Sequence, residues 1–136
     1  MIILDTNVCS ELLVPAPDAA VIEWLSGLTE IPKTTVITRA ELLSGVAVLP
    51  EGKRKQTLYD GIRRILSSTG ECLPLTPEAA DEYAAIIATR QRMGRPISGF
   101  DALIAAIARV NQATLATRNT KDFQHLDLDL INPWEV

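Results

Sequence analysis

Four carboxylates stand at chemically informative places in the chain: Asp5, Glu41, Asp101 and Asp122. Asp5 follows the apolar run Ile2-Ile3-Leu4. Glu41 comes shortly after Thr34-Thr35-Val36-Ile37, a run in which every residue is β-branched. Asp101 precedes the apolar stretch from Ala102 to Val110, and Asp122 lies in a polar loop after Thr114-Leu115-Ala116-Thr117. Brought together, such groups repel by roughly 4 kcal/mol per pair at about 4 Å and an effective dielectric of about 20. A hard divalent cation offsets that repulsion, and magnesium or manganese prefers oxygen ligands of this kind. His125 is the only histidine, and neither Cys9 nor Cys72 has a Cys or His at ligand spacing. Zinc and a histidine-based acid–base mechanism are therefore disfavoured.

Each acid also has a plainer use. Thr38-x-x-Glu41 matches a capping box, and Ser98-x-x-Asp101 resembles one. Acids in first turns suit the helix dipole. Asp5 can cap the helix after it, and Asp122 can be an ordinary loop acid. Capping accounts for the acids one at a time but not for their convergence on one edge.

The elements that would position them read as follows. Ile2 to Leu4 is a short buried strand. A helix capped around Asp5-Thr6-Asn7 runs to about Leu13 and ends before Pro15 and Pro17; a second, capped by Asp18, runs to about Leu28. Thr34 to Ile37 suits a strand, followed by a helix from Thr38 to about Val48. After Pro50-Glu51-Gly52 a longer helix covers Lys53 to Ser67. Cys72 to Leu75 is extended, and Thr76-Pro77 starts a helix reaching Met93. That helix carries an apolar stripe of Ala80, Tyr83, Ala84 and Ile87, for core or for an interface, with core the default. Gly94 and Pro96 stop it. Ser98 opens a helix to Val110 that is apolar on most sides. Thr114 to Thr117 and Leu128 to Ile131 are strands, with a polar loop at Asn119 to Asp122 between them. Strands alternating with helices predict an α/β fold with a mainly parallel central sheet flanked by helices. In such a sheet ligands bind beyond the carboxyl ends of the strands, where Asp5, Glu41 and Asp122 fall and where Asp101 joins them if its helix starts there.

Composition bounds these readings. With 136 residues the chain has the size of one domain, 1–136, and 47% apolar against 22% charged residues is a globular balance. Met1-Ile2-Ile3-Leu4-Asp5 lacks the basic region and length of a secretion signal, and no apolar run is long enough for a membrane. Two unpaired cysteines fit a reduced, cytoplasmic setting. The net charge of −4 argues mildly against a nucleic-acid partner, although cations held by the acids would reverse the local sign.

The stretches Ile3-Leu4-Asp5-Thr6-Asn7, Ala40-Glu41-Leu42, Asp101-Ala102-Leu103-Ile104-Ala105 and Ala116-Thr117-Arg118-Asn119-Thr120-Lys121-Asp122-Phe123 resemble, in order, the four acidic motifs of PIN-domain nucleases. The similarity covers nearly the whole chain and is nearest to the VapC and FitB-like toxins, including Gly94-Arg95-Pro96-Ile97 before Asp101. Cys9 stands where leucine is expected, a departure that bears on packing.

The resemblance implies a PIN fold and a ribonuclease that uses Mg2+ or Mn2+ held by Asp5, Glu41, Asp101 and Asp122. Asp5 and Asp101 would touch metal directly; Glu41 and Asp122 would serve a second ion or orient water. It also implies a homodimer and a cognate antitoxin protein as partner. Thr6, Asn7, Thr117 and Asn119 are polar neighbours that can position an acid or a phosphate, or can simply serve turns and caps. Basic groups at Lys53-Arg54-Lys55, Arg63-Arg64 and Arg90, Arg92 and Arg95 can meet RNA phosphates, although solvated helix faces are the commoner use. Arg95 and Arg118 are the better RNA candidates because they flank acidic motifs.

Other readings fit less well. A haloacid-dehalogenase-type phosphatase wants a second Asp two residues after Asp5, where Asn7 stands. A receiver domain wants an acceptor Asp after its third strand and a later Lys, and no convincing set is present. An RNA-processing PIN nuclease outside any toxin system, and an inactive PIN module that only binds, remain as alternatives; the presence of all four acids speaks against the second.

Overall fold

The computed structural model describes residues 1–136. Five short strands are laid down in the order β1 (Ile2–Leu4), β2 (Thr34–Thr35), β3 (Cys72–Leu73), β4 (Thr114–Ala116) and β5 (Asp129–Ile131). Every pairing is parallel: β1 with β4, β4 with β5, and β2 with β3. A single parallel bridge from Ile3 to Lys33 joins the two ladders, giving the order β3-β2-β1-β4-β5. The chain leaves β1 toward one side of the sheet and returns to fill the other. The switch point between β1 and β4 is where open parallel sheets form their ligand crevice.

Six helices cover the sheet: α1 (Thr6–Glu11), α2 (Ala19–Ser26), α3 (Val36–Ala47), α4 (Lys53–Ser68), α5 (Pro77–Arg92) and α6 (Gly99–Val110). Strand side chains alternate between faces, so one register serves two cores. Ile3, Leu115 and Leu130 share a register position and pack with α5 and α6, in a cluster that includes Ile86, Ile104, Ile107 and Phe123. Leu4, Ala116 and Ile131 share the next position and pack with Val8, Val21, Leu42, Val46 and Ile62 from α1 to α4. The mainly parallel, helix-covered sheet expected from the sequence is therefore present. No helix is long and apolar enough to cross a membrane.

Three local expectations are corrected. The strand expected over Thr34–Ile37 stops at Thr35, and Val36 and Ile37 open α3. Thr35 is the cap, its hydroxyl accepting from the Thr38 amide at 3.2 Å. A cap that satisfies a free helix amide outweighs the β preference of two residues. The capping box expected at Thr38 and Glu41 therefore does not form, and Glu41 sits in the helix body. Second, the polar loop at Asn119–Asp122 is wound into a 3-10 turn over Thr120–Phe123, anchored by fully buried Phe123. Third, the stripe expected on α5 is out of phase. Ala79, Ile86 and Arg90 are its buried residues, Tyr83 and Ile87 flank them, and Ala80 and Ala84 are exposed.

Candidate active site

Asp5 ends β1 and caps α1, so its plainer use and its place in the site coincide. Its Oδ1 accepts from the Thr6 amide at 2.8 Å, and its Oδ2 accepts from the Thr117 hydroxyl at 2.8 Å and the Asn7 amide group at 3.3 Å. The β1–β4 register puts these groups together: Leu4 lies beside Ala116, and the Asp5 amide donates to the Ala116 carbonyl at 2.9 Å. Thr117 is wholly buried. It donates to Asp5 and accepts from Asn7 Nδ2 at 3.2 Å and from the Asn119 amide at 3.1 Å, which uses its single donor and both lone pairs. Asn7 Oδ1 accepts from the Arg118 amide at 3.3 Å, tying α1 to the loop after β4.

Glu41 reaches the same place from α3. Its Oε1 accepts from the Thr6 hydroxyl at 2.7 Å, and Thr6 Oγ1 lies 3.0 Å from the hydroxyl oxygen of buried Thr38. Asp101 arrives on the first turn of α6, whose cap Ser98 accepts from the Asp101 amide at 3.2 Å. Asp5, Glu41 and Asp101 line one cleft of about 410 Å³, together with Thr6, Asn7, Arg118 and Asn119. Asp122 stands at the margin. It lines an adjoining hollow shared with Arg118 and Asn119, near enough for its charge to act on Asp101.

The electrostatics record this crowding. Burial pushes the Asp5 carboxyl up from 3.8 to about 6; its hydrogen bonds from Thr117 and Thr6 oppose that shift, and the charges of Asp101 and Glu41 add to it. Burial also raises Asp101, against its bond with Ser98 and with help from Asp122. The neighbouring Cys9 thiol is pushed to about 12 by burial and by the Asp5 charge, so it is packing and not a nucleophile.

The donors around the cleft are hard oxygens, and neither cysteine nor histidine lines it. His125 lies elsewhere, in a cavity at the amino ends of β4 and β5. No three acidic, histidine or cysteine side chains close into a ready-made cage. The hard-oxygen lining nevertheless fits a cation such as magnesium, which keeps several waters and takes one or two carboxylates plus substrate oxygens.

Some expected residues lie elsewhere. The side chain of Arg95 is exposed and does not line the cleft. Arg90, grouped with solvent-facing cations in the sequence, is instead 6% exposed. Its Nε donates to the Arg95 carbonyl at 2.7 Å and its Nη1 to the Asp122 carbonyl at 2.6 Å. It therefore ties the loop ahead of α6 to the turn carrying Asp122. Ser10, Glu11 and Trp134 also line the cleft, although the sequence did not mark them out. Ser10 and Glu11 follow Asn7 by three and four residues on α1, a spacing that shares a helix face and was readable. Trp134 gave no local signal, because only the folded tail after β5 brings it there.

Comparison with known proteins agrees with this geometry. The PIN domain family model matches residues 2–128. The VapC ribonuclease Y4jK of Sinorhizobium fredii is 39% identical over 99% of this chain and 99% of its own. Toxin FitB of Neisseria gonorrhoeae is also 39% identical, over 98% of this chain and 99% of its own. The crystal structure of FitAcB from Neisseria gonorrhoeae superposes with a TM-score of 0.91 at 40% identity, covering 100% of both chains. An acid-lined cleft at the β1–β4 switch point, a family match across nearly the whole sequence and full-length relatives together establish that the chain belongs to the PIN-domain family.

Proposed function

We propose that this protein is a magnesium- or manganese-dependent endoribonuclease and the toxin of a toxin–antitoxin pair. The observation that carries the reading is the meeting of Asp5, Glu41 and Asp101 in one cleft, with the buried Asp5 carboxyl held at about 6. A buried acid crowded by two others is poorly placed as an ion by itself and well placed beside a cation. The names of the relatives, a VapC ribonuclease and a toxin, support the same activity and role here. An antitoxin partner, a homodimer and a cytoplasmic setting follow from the family likeness. Residues 1–136 are taken as one PIN unit, because β5 completes the sheet and the tail beyond it returns to the cleft.

Asp5 and Asp101 are assigned to direct metal contact, and Glu41 and Asp122 to a second ion or to water. A divalent ion in such a site lowers the pKa of water and stabilises charge on phosphate during in-line displacement. The protein supplies the positioning. Thr117, Asn7 and the Thr6 amide fix both oxygens of Asp5. Thr6 holds Glu41 Oε1 and leaves Oε2 without a protein donor. Arg118, exposed at the cleft, is assigned to contact with the RNA.

The test is cleavage of total bacterial RNA by purified, antitoxin-free protein in magnesium, manganese or EDTA, beside Asp101→Asn. Cleavage that needs metal and is lost in the folded variant is the expected result, and its fragments would identify the RNA. Metal-independent cutting, or an Asp101→Asn protein as fast as wild type, would remove the assignment.

A further inference from the structure

Of the residues lining the acid cleft, Arg118 is the one cation and Trp134 the one aromatic, and the two are stacked on each other. The Arg118 guanidinium lies over the indole, 5.1 Å from the ring centroid. Arg118 has no carboxylate partner and makes no hydrogen bond through its side chain, so its charge is uncommitted. The pair is nevertheless held in place. Asn132 donates through Nδ2 to the Arg118 carbonyl at 3.4 Å and accepts through Oδ1 from the Trp134 amide at 3.0 Å. Asn7, already bonded to Asp5, accepts from the Arg118 amide. A tie to the acid network at one end and an asparagine bridge at the other fix the backbone positions from which the cation and the ring project. Trp134 also lies beyond the residues matched by the family model, which end at 128.

We infer that Arg118 and Trp134 form a stacking platform for one nucleobase of a single-stranded RNA, beside the phosphate presented to the acids. The inference rests on the ribonuclease reading and names how its substrate is gripped. Unpaired bases stack on aromatic rings and on guanidinium planes, and every base offers a face. In a cleft lined by carboxylates, a lone arginine gives little electrostatic affinity, whereas a flat guanidinium propped by an indole supplies a surface that does not depend on net charge. The platform requires an unpaired base, so it selects single-stranded or loop RNA over duplex.

Two measurements test it. The chain has two tryptophans, Trp24 and Trp134, so in a Trp24→Phe, Asp101→Asn protein the fluorescence reports Trp134 alone without cleavage. In magnesium, a short oligoadenylate should quench and shift that emission, while an abasic strand with the same number of phosphates should not. In otherwise wild-type protein, Trp134→Ala and Arg118→Ala should raise KM for a single-stranded RNA by about 5- to 150-fold, the range of one lost base stack, with kcat changed much less. Trp134→Phe, which keeps a ring, should recover most of the loss and controls for folding. Equal responses to the oligoadenylate and the abasic strand, or a folded Trp134→Ala protein with wild-type KM, would overturn the platform. Failure of wild-type protein to cut any RNA would count against the nuclease reading alone, and the quenching comparison would still decide whether a base stacks here.

Discussion

At the scale of single residues, Asp5 carries an opposition between folding and chemistry. The residue is 4% exposed, and its carboxyl titrates at about 6 in the folded chain against an ordinary value of 3.8. A folded pKa above the unfolded one means that the native state holds the proton more tightly. The associated stability is fully present below 3.8 and is lost as pH rises through about 6. By linkage the loss reaches about 3 kcal/mol at neutral pH, and Asp101, raised in the same direction, adds to it. Metal-free protein should therefore gain stability on mild acidification, as read by urea midpoints in EDTA across that interval. In Asp5→Asn the gain should shrink sharply, and the variant should be folded but unable to cut RNA. Identical pH profiles for the two proteins would show that Asp5 is not the group responsible. Asp5 was legible in the sequence because it follows a short apolar strand. Its partner Thr117, 112 positions away, was visible only as a polar neighbour, since the bond between them depends on strand register.

At the scale of elements, short side chains at the joints decide what the site contains. The Thr35 cap moves the start of α3 back by two residues from the expected Thr38, so that Glu41 is free to meet Thr6 and not bound up in a capping box. Sequence reasoning found the helix and the acid but misplaced the boundary, because four β-branched residues in a row favour a strand until a cap competes. The 3-10 turn bearing Asp122 is held by Arg90 through main-chain carbonyls, a role that no spacing of charges discloses. Arg90→Met keeps much of the buried stem but leaves the carbonyls of Arg95 and Asp122 without this donor. The expected cost is about 2–4 kcal/mol, read as a lower urea midpoint at unchanged slope. Cleavage should become more dependent on metal concentration as the turn carrying Asp122 loosens. A midpoint equal to wild type would show the two bonds to be dispensable.

Across the whole molecule, a net charge of −4 sits beside a proposed polyanionic substrate. The cleft contributes one cation, Arg118, against Asp5, Glu11, Glu41 and Asp101. Salt dependence of RNA binding measures how many phosphates the protein neutralises, at about −0.7 per contact in a log–log plot for single strands. With one cation the slope here should be shallow, no steeper than about −0.7 on that scale. Divalent cations should strengthen binding far more than the same ionic strength of sodium chloride. A steep slope would instead bring in the cations of α4, Lys53, Arg54, Lys55, Arg63 and Arg64, as a backbone-binding face. The layered α/β architecture was readable from alternating periodicity. The union of two ladders through the Ile3–Lys33 bridge was not, because β2 and β3 are each only two residues long.

The parallel register of β1 with β4 also sets a clock on synthesis. Asp5 precedes Thr117 by 112 positions, yet its carboxylate is fixed by Thr117 and its amide by Ala116. Glu41 and Asp101 are likewise useless apart, since each reaches the cleft on a different helix. Such long-range contacts form late, after the intervening chain has been made. Until Thr117 has been made, a growing chain carries Asp5, Glu41 and Asp101 without the assembled cleft. If the ribonuclease reading holds, this topology would withhold the assembled cleft until β4 and the Thr117 that follows it have emerged and docked.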